Sequence, residues 1–315
     1  MDVNSSMPDN PATAPSVIQA VRKTTFIDAP RLSAALGIDV TLASETFQHT
    51  GSFKFRAAYS LASRVQETTI LTASSGNFGQ ALAYACKLLG KSAIVVMPES
   101  SAKVKIDAVR GYGARVELID TAQTSRADRV AELAEAHPDA YVASAYNDPL
   151  VIAGNASLGH ELAPMGFDEV IVPIGGGGLS SGIVQGFREA ECTTRVCAAE
   201  PLLGNDAARS LREGRLVKNE QEPQTLADGA RTVSLGENNW HILRDGLSRI
   251  VEVPETAIVE GVKMLFSLAN LKAEPTSALS VGAILTSPDV FEGQKVCCIV
   301  TGANVDPALY ARLIT

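Results

Sequence analysis

Lys54 is the first residue whose surroundings suit it to chemistry. It lies in the stretch Gln48-His49-Thr50-Gly51-Ser52-Phe53-Lys54-Phe55-Arg56, where a Thr-Gly-Ser turn leads into a predicted helix with Lys54 in its opening turn. Aromatic neighbours on both sides predict a desolvated amine, and Arg56 adds a second cation. Both effects favour the neutral amine, the form that condenses with a carbonyl. A second stretch, Gly175-Gly176-Gly177-Gly178-Leu179-Ser180-Ser181-Gly182, follows a predicted strand and opens a predicted helix. Four glycines leave the backbone N–H groups unobstructed, so they can converge on an anion that also feels the helix N-terminus. A phosphate suits that cradle. The Lys-Ser/Thr pair of a P-loop does not follow, and the dinucleotide pattern in its usual first βα position is absent.

Two further loops match this picture. Ser74-Ser75-Gly76-Asn77-Phe78-Gly79-Gln80 sets hydroxyls, an amide and free N–H groups at a helix N-terminus, which suits a carboxylate. Thr301-Gly302-Ala303-Asn304-Val305-Asp306 follows an apolar run and puts Thr301 at the carboxyl end of a buried strand. Glu274-Pro275-Thr276 reads equally well as a site element and as a helix start. His49 reads as a solvated loop residue.

The elements that must position these loops alternate in kind. Strands are predicted at 40–43, 69–73, 93–97, 115–119, 140–144, 170–173, 195–199, 250–253 and 296–300. Helices are predicted at 79–89, 102–112, 125–136, 151–162 and 256–268. Such alternation implies βαβ units with parallel sheets between helices, whose ligands sit beyond the carboxyl ends of the strands. With no repeat and no Gly/Ser/Pro-rich linker, two lobes sharing a cleft are expected: a small one at 66–145, inserted into a larger one built from 1–65 and 146–315.

Composition narrows the function classes. The 315 residues are 46% hydrophobic and 20% charged, with a net charge of -8. That apolar content excludes disorder as the main state, and the acidic balance argues against nucleic acid or an anionic membrane as partner. Five cysteines without a CxxC pair read as buried thiols. The polar, Pro-containing N-terminus lacks the pattern of a signal peptide, and no apolar run approaches the roughly 20 residues of a bilayer span. The expected setting is the cytoplasm.

Seven motifs, TGSFKFR, SSGNFGQA, GGGGL, AAEP, ADG, EPT and TGANVD, occur in one order from about Val17 onward. In that order the chain resembles the fold type II pyridoxal-phosphate enzymes, and within them serine racemase and the serine/threonine dehydratases. The resemblance implies a two-lobed α/β fold like that of the tryptophan synthase β-chain. It implies pyridoxal 5'-phosphate tethered to Lys54 beside Phe53, with its phosphate on Gly175, Gly176, Gly177, Gly178 and Leu179. Asn77, Glu274 and Thr301 complete the cofactor contacts, Asn77 at the 3'-oxygen and Thr301 at the ring nitrogen. Ser74, Ser75, Gly76 and Asn77 would hold the substrate carboxylate, with Arg126 and Asn147 nearby. Lys54 and Ser75 would be the catalytic acid/bases on opposite faces. Glu200, Asp206 and the Gly204 carbonyl match a segment that binds Mg²⁺ or Ca²⁺ through oxygen donors. The implied activity is ammonia-lyase dehydration of a β-hydroxy amino acid to a 2-keto acid, with serine racemisation, by a homodimer acting on a small amino-acid substrate. The alternatives are β-replacement, or dehydration of another β-substituted amino acid such as 3-hydroxyaspartate. Against β-replacement, Phe55 stands where those enzymes place Asp between the lysine and the arginine. Two departures stand out: Phe78 occupies the family's usual His position, and Thr24-Thr25-Phe26-Ile27 replaces the usual Thr-Pro-Leu.

Overall fold

Short runs rich in β-branched and small apolar residues, ended by Gly, Pro or polar clusters, set the strands. The computed structural model describes residues 16–315 except Ser75 and Ala102. Its strands are β1 (Thr25–Asp28), β2 (Asp39–Ser44), β3 (Thr69–Ala73), β4 (Ser92–Pro98), β5 (Arg115–Ile119), β6 (Ala140–Ala143), β7 (Glu169–Pro173), β8 (Arg195–Pro201), β9 (Arg249–Val253) and β10 (Lys295–Val300). They form a six-stranded sheet, β1-β2-β10-β7-β8-β9, and a four-stranded sheet, β5-β4-β3-β6. Among the described strands, only the β1–β2 pairing is antiparallel.

Parallel strands covered on both faces require continuous apolar runs. β7 is buried along its whole length, and β10 from Val296 to Val300, with Cys297 and Cys298 packed as small hydrophobes. The strands of the smaller sheet all lie between Thr69 and Ala143, so that sheet is inserted in the chain between β2 and β7. The chain returns to the larger sheet at its end, placing β10 between β2 and β7. Loops leaving β7 and β10 therefore start side by side, where the order of connection reverses; ligands bind at such points. Among the described residues no helix is long and apolar enough to cross a membrane.

β1 and the helices Pro30–Leu36 and Pro307–Ile314 were not expected from the sequence. β1 is a half-exposed edge strand without an apolar run. The two helices start on proline, which pre-sets φ at the first helical position, and at 7 and 8 residues are too short to show a period.

Arg56 anchors the helix Lys54–Arg64. Its guanidinium is fully buried and pairs with Glu45 at 2.8 Å and Glu161 at 2.8 Å. It also donates to Thr24 and Ser157. A buried cation is tolerated only when its donors are matched in this way; here the match ties the N-terminal segment, β2 and the helix Pro149–Leu162 to one guanidinium. That last helix packs against Gly178–Glu189 at backbone contact: a Cβ on Gly186 would lie 2.5 Å from the Ala156 carbonyl.

Candidate active site

The loops following β3, β6, β7 and β10 meet around a cleft of about 200 Å³, several times the volume of one water. Lys54, Gly175 to Gly178, Asn77, Glu274 and Thr301 all line it.

Lys54 is brought there by a strained turn. Thr50 (φ 61°) and Gly51 (φ 74°) are both left-handed, a conformation that costs a non-glycine residue about 1 kcal/mol or more. The turn is pinned to the loop after β10: Phe53 N donates to Thr301 O at 3.0 Å, and Ala303 N to Gly51 O at 3.0 Å. Lys54 thus opens its helix next to Thr301. Its Nζ donates to Ala145 O at 2.9 Å and lies 5.1 Å from the Phe53 ring centroid and 5.7 Å from that of Phe78. Loss of water lowers its pKa from 10.5 to about 8, opposed by the Glu274 carboxylate. The role expected for Arg56 in this shift is corrected: its charge faces Glu45 and Glu161, and burial does the work.

A pH dependence follows. Below pH 8 each unit of rise exposes tenfold more neutral amine, and above it the gain stops. Condensation of the cofactor-free protein with an aldehyde is therefore expected to accelerate up to about pH 8 and then level off, as read by stopped-flow absorbance. A rate still climbing at pH 10 would indicate an ordinary lysine.

The glycine loop runs from β7 into the helix Gly178–Glu189. Its carbonyls are held from the protein side: Gly176 O accepts from Asn239 Nδ2 at 2.6 Å and Gly236 N at 3.1 Å, and Gly178 O accepts from Asn155 Nδ2 at 3.0 Å. The N–H groups are left for the cleft, at the positive end of the helix. A Cβ on Gly176 would lie 2.3 Å from the Tyr146 ring, and Gly177 takes φ 91°, so neither position accommodates a side chain. The Ser180 and Thr232 hydroxyls also line the cleft, and neither has a partner among the described residues. Bare N–H groups plus spare hydroxyl donors fit a phosphate ester.

On the facing wall one orientation is forced. Asn304 Nδ2 donates to Thr50 O at 2.7 Å, which identifies it as the amide nitrogen, and then to Asn77 Oδ1 at 2.8 Å. Asn77 must therefore turn its own Nδ2 to Glu274, at 2.9 and 3.1 Å. Burial, with Asp228 adding to it, raises the Glu274 pKa, while Asn77, Lys105 and Lys54 oppose the rise. Ser74 Oγ accepts from Gly79 N, in the first turn of the helix Asn77–Leu88, at 3.0 Å, and its proton has no acceptor among the described residues. Gly76 lines the cleft with Lys105 beside it: a Cβ there would sit 3.7 Å from Lys105 Nζ. Thr301 is buried against Ser277.

Other expected residues are placed as follows. Phe53, Phe78 and Leu179 line the cleft, as does Arg126, which is ion-paired with Glu222. Asn147 is corrected: it is not a cleft residue, since its Oδ1 accepts from Asn238 N at 3.0 Å and its side chain packs against Gly236. Ser75 lies outside the described residues. Glu200, Gly204 and Asp206 stand apart from the cleft. Both Glu200 oxygens accept backbone N–H groups, from Ala207 and Ala208, each at 2.8 Å. Asp206 Oδ1 accepts from Asn219; its Oδ2 is buried without a hydrogen bond of regular geometry, although the Leu235 backbone N–H lies close enough to favour the charged carboxylate. Burial and mutual repulsion raise the Glu200 pKa; burial raises that of Asp206 to about 7. Among the described residues no group of three or more His, Cys, Asp or Glu side chains is gathered for a metal. Sequence reasoning missed Lys105, Tyr146, Asp228 and Arg231 at the cleft. The ADG motif was a signal for Asp228; the other three sit in stretches without one.

A desolvated lysine amine and a glycine-rich loop sharing one cleft suit the capture of a phosphorylated carbonyl compound. The chain belongs to the pyridoxal-phosphate-dependent enzymes: the family described as "Pyridoxal-phosphate dependent enzyme" matches residues 17–302. Its two parallel-rich sheets flanked by helices are the fold type II arrangement. The chain is 35% identical over 298 residues to an L-threo-3-hydroxyaspartate ammonia-lyase of Pseudomonas sp, covering 93% of each chain. It is 31% identical over 307 residues to the serine racemase of Mus musculus, covering 92% of this chain and 89% of that one. Among solved structures, the T.th. threonine deaminase superposes with a TM-score of 0.86 at 36% identity, covering 92% of this chain and 95% of that one.

Proposed function

We propose that this enzyme is an ammonia-lyase that dehydrates L-serine or L-threonine to a 2-keto acid and ammonia, with serine racemisation as a second outcome. The observation that carries the reading is the desolvated amine of Lys54 set across one cleft from the glycine cradle. Bound pyridoxal phosphate supplies an electron sink for the pair left at Cα when the α-proton departs. Gly175 to Gly178, with Ser180 and Thr232, would hold its phosphate, Asn77 its 3'-oxygen and Thr301 its ring nitrogen. The chain's own residues do the rest. Lys54 Nζ takes the α-proton. The Ser74 hydroxyl and the backbone N–H groups of the loop that opens the helix Asn77–Leu88 hold the substrate carboxylate, and Glu274 keeps a proton close to the reacting region. Phe53 and Phe78 keep water from the amine. Loss of the β-hydroxyl as water, followed by hydrolysis, gives the keto acid and ammonia. Ser75, returning a proton on the opposite face, would give the D-amino acid.

A second substrate, 3-hydroxyaspartate, is favoured by Arg231. Its guanidinium lines the cleft and donates to the Thr225 carbonyl, whereas Lys105 and Arg126 are ion-paired with Asp228 and Glu222. A cation with no carboxylate partner among the described residues suits a second substrate carboxylate. Keto-acid and chiral amino-acid analysis of reactions with L-serine, L-threonine and L-threo-3-hydroxyaspartate tests both readings. Pyruvate or 2-oxobutyrate as the main product supports the first, and oxaloacetate the second. Keto acid from none of the three overturns both.

The proposal extends to a divalent cation on Glu200, Asp206 and the Gly204 carbonyl, supported by a buried Asp206 oxygen that lacks a hydrogen bond of regular geometry. At about 100 times its Kd, Mg²⁺ or Ca²⁺ is expected to raise the Tm by roughly 3–5 °C, and Asp206→Asn to remove the gain. An equal rise in that variant, or none in the parent, contradicts the site. The lobe boundaries at 66–145, a cytoplasmic setting and a homodimer belong to the same proposal. Exposed Ile18 and Phe47 supply apolar surface for a subunit contact.

A further inference from the structure

We propose that Ser277 is a positioning residue: it decides whether Thr301 presents a proton or a lone pair to the cleft, and so biases the protonation of the cofactor ring nitrogen. The inference rests on the pyridoxal-phosphate reading above and extends it to a residue that touches neither cofactor nor substrate.

Ser277 stands in the first turn of the helix Pro275–Thr286, fully buried, with its Oγ 2.9 Å from Thr301 Oγ1. The same Oγ accepts from Gly302 N at 2.9 Å and lies 2.8 Å from Gly302 O. A hydroxyl has one proton and two lone pairs. One lone pair is taken by Gly302 N–H, so the proton has two possible acceptors, Gly302 O and Thr301 Oγ1.

Each choice fixes Thr301. When Ser277 donates to Gly302 O, its second lone pair accepts the Thr301 proton, and Thr301 shows only lone pairs to the cleft; a protonated ring nitrogen is then the matching partner. When Ser277 donates to Thr301, the Thr301 proton must point into the cleft, and an unprotonated nitrogen matches. Gly302 O is not orphaned in the second arrangement, because it still accepts from Glu274 N at 3.0 Å. Both arrangements are therefore available, and Ser277 is what makes the first one possible. Without its oxygen the Thr301 proton loses its inner acceptor and turns to the cleft, favouring the unprotonated ring and a weaker electron sink.

The test uses protein reconstituted with pyridoxal phosphate carrying ¹⁵N in the ring, with the nitrogen shift followed against pH. In Ser277→Ala the protonated fraction at a given pH is expected to fall by about five- to tenfold, the equivalent of one hydrogen bond. Ser277→Cys, which fills the space with a weak acceptor, should move the titration in the same direction and covers the case in which alanine disturbs folding. In a Thr301→Val background the Ser277 substitution should have no further effect, because the relay is already broken. A Ser277→Ala titration that overlays the parent overturns the proposal, and so does a shift that persists undiminished beside Thr301→Val. If the parent protein binds no pyridoxal phosphate, the underlying reading falls, a result distinct from an unchanged nitrogen titration in a loaded enzyme.

Discussion

Lys54→Ala abolishes the covalent attachment of pyridoxal phosphate and lowers turnover by on the order of 10⁴-fold or more, since one residue serves as both tether and proton acceptor. The fold should survive. Lys54 is the first residue of its helix, and among the described residues its amine makes one hydrogen bond, to Ala145 O. Alanine is a good helix former, and the substitution removes a cation that burial disfavours. The buried Arg56 network that fixes the helix is untouched. The variant is thus expected to melt within a few degrees of the parent while showing no imine absorbance with pyridoxal phosphate and releasing the added cofactor on desalting. Turnover within tenfold of the parent would remove Lys54 from the chemistry.

Gly176→Ala should lower the affinity for pyridoxal phosphate by about 10²–10³-fold. The new methyl would sit 2.3–2.7 Å from three atoms of the Tyr146 ring. The ring cannot simply step back, because Tyr146 O is held by Asn239 Nδ2 at 3.0 Å and the Tyr146 backbone lies against Gly178. Either the ring swings into the cleft or the loop moves out, and both spoil the convergence of N–H groups on the phosphate. Losing one or two charge-assisted hydrogen bonds, each worth about 1.5–3 kcal/mol, accounts for that factor. Pyridoxal without its phosphate is the control: its weaker binding should change little. An equal loss for both vitamers, measured by fluorescence titration, would mean that the loop does not serve the phosphate.

The parts of the site legible in the sequence are those whose function needs a peculiar local composition. Four glycines after an apolar strand, or a lysine between phenylalanines at a turn, are rare unless used. The alternation of the strands from β3 to β7 with predicted helices likewise gave the parallel sheets away. Lys105, Tyr146 and Arg231 were invisible because nothing local marks them; only the folding of the smaller sheet's loops against the larger one brings them to the cleft. Asn147 shows the reverse error: a polar side chain close in sequence to the site, yet engaged by the 236–238 backbone. Arg56 is a third case. Its charge was legible, but its two carboxylate partners come from Glu45 and Glu161, and pairing across that distance has no local signature.

One measurement bears on all of this: borohydride reduction of the loaded enzyme, followed by peptide mass spectrometry. A pyridoxyl phosphate adduct is expected on the peptide containing Lys54, with fragment ions placing it on that side chain. An adduct on a different lysine, or none after full incubation with the cofactor, would contradict the site.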